Sequence, residues 1–224
     1  MDEIISKIAA AALPVLFAFT WHAAAQAYAA YYCGDKTGYL QGRVTWHPEK
    51  HIDLIGTILM PLVTFCIAAT TGFPLIMGYA KPVPMDFREM RHPKRDLALV
   101  SFAGSAANFL MALIWSILFV LVRSGKIDVN FLLEMSKAGI HYNLLLFALN
   151  MLPFPPFDGG RVLIGLLPNK YALQVAKIEP YGFYIIAILI LASDVIFNVW
   201  IYPVMKVATL LLNLLISPLT YFLN

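Results

Sequence analysis

Residues Asn150 to Arg161 read Asn-Met-Leu-Pro-Phe-Pro-Pro-Phe-Asp-Gly-Gly-Arg, and this stretch decides how the rest of the chain is read. A carboxylate, Asp158, stands among prolines and glycines between two strongly apolar segments. An ionisable group at membrane depth is costly, so it marks a functional site by default. Proline and glycine beside it imply a broken helix, which is tolerated only where backbone is buried in protein or lines a wet cavity. The stretch predicts a membrane-embedded site and a second half of that site elsewhere in the chain.

Working outward, the whole sequence has a membrane composition. Of its 224 residues, 60% are hydrophobic and 13% charged, with a mean hydropathy of +0.74. That excludes an ordinary soluble domain and predicts a polytopic membrane protein. The net charge of +3 is small, and the basic residues lie in loops, which suits lipid headgroups and not nucleic acid. Cys33 and Cys66 lack metal-type spacing and are expected to pack as small hydrophobes. The run Ala23-Ala24-Ala25-Gln26-Ala27 after an apolar stretch has the form of a leader cleavage site. However, Met1 to Lys7 carries two acids against one lysine where a leader needs net positive charge, so a retained helix is expected.

A spanning helix needs about 20 mostly apolar residues. Residues 8–32 qualify and contain His22 and Gln26, and 34–38 form a loop. Residues 52–80 make a second apolar run, interrupted at Gly72 and Pro74. Residues 81–96 are a basic loop that starts extended, because Lys81-Pro82-Val83-Pro84 disfavours helix. Residues 97–122 are a third span with Asn108 inside it, and 136–152 a shorter one that ends at the prolines. A short helix is expected over 158–167, and 181–200 and 204–222 are the last apolar runs. The expectation is one all-α integral-membrane domain over 1–224. It has five to six transmembrane helices, a re-entrant or extended basic loop, and a Pro/Gly-broken helix carrying Asp158. The 81–95 loop, denser in Lys and Arg, is expected to be cytoplasmic.

His22 alone reads as a hydrogen-bonded core histidine. Gln26, four residues on, shares its helix face. Asp158 adds a buried polar group at a separate helix break, and His and Asp converging inside a bundle make a metal or proton site.

These residues lie in an ordered set of motifs. His22-Ala23-Ala24-Ala25-Gln26 is followed by Gly34-Asp35-Lys36-Thr37, Gly42-Arg43-Val44-Thr45 and the run from His51-Ile52-Asp53 to Met60-Pro61. Gly78-Tyr79-Ala80-Lys81-Pro82-Val83-Pro84, Ala103-Gly104-Ser105-Ala106-Ala107-Asn108 and Asn150 to Gly159 complete it. In this order, from about Leu13 to Phe183, the chain resembles the short bacterial form of the site-2 protease family of intramembrane zinc metalloproteases. The resemblance implies a bacterial inner-membrane protein and a transmembrane protein as substrate or client. It also implies a zinc ion bound by the residues at positions 22, 26 and 158, with a general base at position 23. Asn108 and Asn150 are implied in substrate binding, and Asn108 in positioning or polarising the scissile carbonyl. An interhelical hydrogen bond is the plainer role for Asn108.

The chain departs from the family pattern where the chemistry sits. The family motif is His-Glu-x-x-His, but Ala23 occupies the Glu position and Gln26 the second His position. A methyl group accepts no proton, and a neutral amide is a far weaker zinc ligand than imidazole. Losing a general base alone costs about 10²–10⁴-fold in rate. No remaining His or Glu has the spacing of a substitute. The sequence therefore predicts a metalloprotease scaffold that is inactive or severely impaired, with zinc occupancy in doubt. A designed Glu→Ala exchange and natural loss both produce this pattern, and Ser105 in place of the family's Pro is a further departure. The competing reading is a non-enzymatic membrane protein that binds client helices.

Overall fold

The structure is a computed structural model describing residues 2–71, 78–125, 130–182, 184–185 and 193–223, and every element among them is helical. In chain order the α-helices are α1 (Asp2–Cys33), α2 (Thr37–Leu40), α3 (Met60–Thr71), α4 (Pro93–Arg123), α5 (Asn130–Asn150), α6 (Asp158–Leu166), α7 (Asn169–Ala176), α8 (Ser193–Ile196) and α9 (Tyr202–Leu223). Among the described residues three stretches are long and apolar enough to cross a membrane: Ile5–Cys33, Pro93–Arg123 and Asp194–Tyr221. Leu54–Ile67 is a shorter apolar helix. The expected breaks at Gly72 and Pro74, and the end of the motif run at Phe183, lie outside the described residues.

The centre is α1, α4 and α5, which pack on one another, with α6 laid against α4 and α9 against α4 and α5. Small side chains make the close approach possible. Ala11, Ala18, Ala24 and Ala27 of α1 are all buried. A Cβ on Gly139 of α5 would lie 2.3 Å from the Trp115 ring of α4, so only glycine admits that indole. Leu146 of α5 closes the cluster formed by Ala11, Val15, Ala18 and Phe19.

Several helix boundaries differ from expectation. α4 starts at Pro93 and not at 97, because proline at the first helical position lacks only an N–H that would go unbonded there. Asp96 supports that start by accepting the His92 backbone N–H at 2.8 Å. α5 starts at Asn130 and not at 136; its first turns carry Glu134 and Lys137, which pair with each other at 2.7 Å. The sequence predicts separate runs over 181–200 and 204–222, yet Ser193–Ile196, Phe197–Ile201 and Tyr202–Leu223 follow one another without a gap. Phe197–Ile201 is π-helical, and Tyr202 N–H bonds back to Phe197 O. A wider turn just before a proline accommodates its missing donor and bulky ring. The same device precedes Pro61, where Leu54–Leu59 is π-helical and Met60 N–H bonds to Ile55 O.

The polar loops are tied to the bundle through buried side chains. Asp35 accepts N–H bonds from Thr37 at 2.8 Å and from Asp86 at 2.9 Å, which pins the basic loop to the end of α1. Residues 78–86 contain no helix, as the prolines predict. Tyr79 N–H donates to Gly56 O at 2.9 Å and Lys81 N–H to His51 O at 2.8 Å, so this segment lies along residues 51–57. After α5 the chain turns back through the prolines, with a cis Pro155–Pro156 peptide, and α6 begins at Asp158. Gly159 and Gly160 rest directly on the backbone of Met151 to Pro155.

Candidate active site

α1 presents His22 and Gln26 on one face, one turn apart, toward the start of α6. Gln26 Nε2 donates to Asp158 Oδ1 at 2.9 Å and lies 3.2 Å from His22 Nε2. His22 Nε2 is 3.2 Å from Asp158 Oδ2. Residues separated by 132 positions in sequence thus meet in one polar centre. Asp158 is buried at the N-terminal turn of α6, where the helix dipole favours a carboxylate.

A chain of amides fixes the histidine ring. Asn143 Nδ2 donates to Gly139 O at 2.9 Å, so its Oδ1 faces Asn108. Asn108 Nδ2 donates to that oxygen at 3.3 Å and to Ala18 O at 3.0 Å. The Asn108 Oδ1 therefore faces His22 Nδ1 at 2.8 Å, and since it can only accept, Nδ1 carries the proton. The other ring nitrogen is left to face Gln26 and Asp158. Asn108 here positions His22 across the α1–α4 interface. Ala23, next to His22, is buried and presents a methyl.

Ser105 and Gly104, like Asn143, are not singled out by sequence reasoning as site residues. Ser105 donates its hydroxyl to Asp158 Oδ2 at 3.0 Å and is fully buried. Gly104 brings the α4 backbone against the centre: a Cβ there would lie 2.5 Å from His22 Nε2 and 2.8 Å from Gln26 Nε2. Asn150 ends α5 half-buried, and no hydrogen bond joins it to His22, Gln26 or Asp158.

The spacing of this centre is that of metal ligands, but its donor set is not. Atoms bound tetrahedrally at ~2.0 Å to one ion sit roughly 3.3 Å apart, close to the 2.9–3.2 Å separations among His22, Gln26 and Asp158. Gln26, however, turns an N–H toward both partners, and an N–H donor cannot ligate a cation. Among the described residues no group of three or more His, Cys, Asp and Glu side chains converges. His22 and Asp158 with an amide fall short of the three protein ligands of a catalytic zinc site. The residues present do not fit the ion.

The loop between α2 and α3 folds back along this part of α1. Trp46 stacks on Tyr28 with ring centroids 4.9 Å apart and meets Trp21 edge-on at 5.9 Å. His51 holds the base of the loop. It is fully buried, with Nε2 2.9 Å from Thr45 O, and Arg43 donates to Lys81 O at 2.6 Å beside it. Burial pulls the His51 pKa below its ordinary 6.5. Below pH 6.5 the opened loop binds a proton that the closed loop resists, so closure weakens as pH falls. The Lys81 amide, bonded to His51 O, is expected to lose hydrogen-exchange protection between pH 7.5 and 5.5 after correction for intrinsic rate. Equal protection at both values would show that His51 does not carry this dependence.

An all-helical fold with helices long and apolar enough to cross a membrane, and a buried His–Asp centre at a helix break, defines a polytopic membrane protein with a polar centre inside its bundle. Over 182 residues the chain is 34% identical to "Putative zinc metalloprotease YwhC" of Bacillus subtilis, covering 79% of this chain and 78% of that one. Over 64 residues it is 38% identical to "Putative zinc metalloprotease MJ0611" of Methanocaldococcus jannaschii, covering 29% and 31%. No family model matches the chain, and no solved structure matches it. The chain belongs to the zinc metalloprotease family of the Bacillus subtilis protein.

Proposed function

We propose that this protein is an intramembrane member of that family, of the site-2 protease kind, whose peptide hydrolysis is disabled while the scaffold is kept. The reading includes a bacterial inner-membrane location, five to six spans counting α5 and the 54–71 helix, and a transmembrane helix as substrate or client. The observation that carries it is the Gln26 amide, which hydrogen-bonds Asp158 and faces His22 where a metalloprotease needs a third ligand. Ala23 supports the same reading, since its methyl stands where the general base would be and takes no proton from water.

What remains is a well-satisfied polar centre. Both Asp158 oxygens have donors, from Gln26 and from Ser105. Buried polar groups are costly when unpaired and tolerable when fully paired. An apolar cavity of ≈ 490 Å³ between the first half of α1 and residues 57–65 gives an apolar client segment room against the same helix.

The test is metal analysis of the purified chain together with an assay on a model transmembrane substrate. Zinc well below one ion per chain and no cleavage are expected. Stoichiometric zinc with cleavage would overturn the disabled reading.

A further inference from the structure

We propose that the cleft between the C-terminal halves of α4 and α9 binds an anionic phospholipid, with its phosphate held by Arg123 and Asn213. This cleft is separate from the His22–Asp158 centre, and the inference does not depend on whether that centre cuts peptides.

Ala112 of α4 packs on Ala208 and Leu212 of α9, and there the two helices are in contact. Further along, a cavity of ≈ 460 Å³ opens between them. Phe119, Ile140, Leu212 and Ile216 give it apolar walls, and Arg123 and Asn213 face the same space. Hydrocarbon chains suit the walls, and a group that accepts hydrogen bonds suits the two polar residues.

The polar inventory narrows the ligand to an anion. Ser116, Ser124, Thr209 and Thr220 also line the cleft. Each donates its hydroxyl to a carbonyl of its own chain segment: Ala112, Leu121, Met205 and Ser217 respectively. Those hydroxyl protons are taken. The Arg123 guanidinium and the Asn213 amide are the donors left, and neither has an acceptor among the described residues. Glu134, the carboxylate at the start of α5, is already bonded to Lys137 at 2.7 Å.

Asn213 lies in the run Leu210-Leu211-Leu212-Asn213-Leu214-Leu215. An unpaired amide in hydrocarbon is costly, so it needs a partner that the bilayer can supply. Arg123 ends a membrane-length helix, where a long cationic side chain reaches the headgroup layer. Basic pockets between membrane helices are established places for anionic headgroups. A symmetric second copy fits less well, because an isologous contact centred on the cleft would oppose Arg123 to itself.

The experiment uses the full chain in mild detergent. It is incubated with phosphatidylglycerol or phosphatidylcholine of the same acyl composition, and retained lipid is counted by native mass spectrometry. Retention of phosphatidylglycerol at least about tenfold above phosphatidylcholine is expected. Arg123→Ala and Asn213→Leu are each expected to abolish that preference, and Arg88→Ala, in the exposed basic loop, to keep it. A thermal midpoint within a degree or two of the parent in lipid-free detergent shows that the variants fold. Inorganic phosphate at millimolar concentration is expected not to displace the lipid. Equal retention of both lipids, a preference that survives Arg123→Ala, displacement by phosphate alone, or a doubled protein mass lost on Asn213→Leu would each overturn the proposal.

Discussion

Restoring Glu at position 23 and His at position 26 together is expected to convert the chain into a zinc-binding protease that cleaves at full rate, whereas Gln26→His alone restores the metal without that rate and Ala23→Glu alone restores neither. The side chain at position 26 already reaches both His22 and Asp158. Its chemistry therefore decides whether the centre is a donor set for a cation or a closed hydrogen-bond network. Gln26→His alone is expected to give one zinc per chain with cleavage about 10²–10⁴-fold below the double variant, since the base is still missing. Ala23→Glu alone is expected to show neither zinc nor cleavage, because a base has nothing to act on. Effects of groups that work as a unit are far from additive. Ser105 stays in place as an outer partner that orients Asp158, a role that supports metal affinity elsewhere. The readouts are zinc per chain after dialysis and cleavage of a model transmembrane substrate. A folded double variant without zinc would show that more than residues 23 and 26 has been lost.

The residues that meet at the centre were legible because their signals are local. His22 and Gln26 are one helical turn apart, and Asp158 stands out as a charge among prolines and glycines. The convergence of His and Asp was readable from two polar groups at separate places in apolar helices, and the resemblance added position 26 as their partner across 132 positions. Ser105 and Asn143 were not legible as site residues. A serine where the family has proline read as drift, and only the packing of α4 against α6 shows that it donates to Asp158. Asn143 has no motif; its place appears once α5 lies on α4 and its amide meets Asn108.

Helix boundaries failed for a different reason. Hydropathy starts the spans at 97 and 136 and parts the last two runs at 201–203, but Pro93 starts α4, Glu134 sits inside α5 paired with Lys137, and Pro203 is carried by a π-helical turn. Each exception is a way of supplying or avoiding one hydrogen bond, and hydropathy does not report it. Among the described residues three helices are both long and apolar enough to cross a membrane. The 21-residue α5 is diluted by Asn130, Glu134, Lys137 and Asn143, and residues 186–192 are outside the description.

Gly160→Ala is expected to be the most damaging glycine-to-alanine change among the described residues. A Cβ at Gly160 would lie 2.1 Å from Phe154 C, 2.2 Å from Pro155 N and 2.6 Å from Phe154 O. All three are backbone atoms of the proline turn, so no side chain can swing aside to make room. Relief requires α6 to withdraw from the turn, and Asp158, two residues earlier, would move with it. Its bonds from Gln26 and Ser105 would then break, leaving buried polar groups unpaired. Overpacking alone costs about 1–3 kcal/mol, and unpaired buried donors add roughly 1–3 kcal/mol more. A total of about 4 kcal/mol is of the order that unfolds a marginal domain. Gly42→Ala is the matched control. Its φ of +65° disfavours a side chain, but nothing lies within 4 Å of the added methyl, so a loss of only about 1–2 kcal/mol is expected. Thermal midpoints in one detergent separate the two cases. A Gly160→Ala protein as stable as Gly42→Ala would mean that α6 is not seated on the proline turn, and Asp158 would lose the support that aims it at His22.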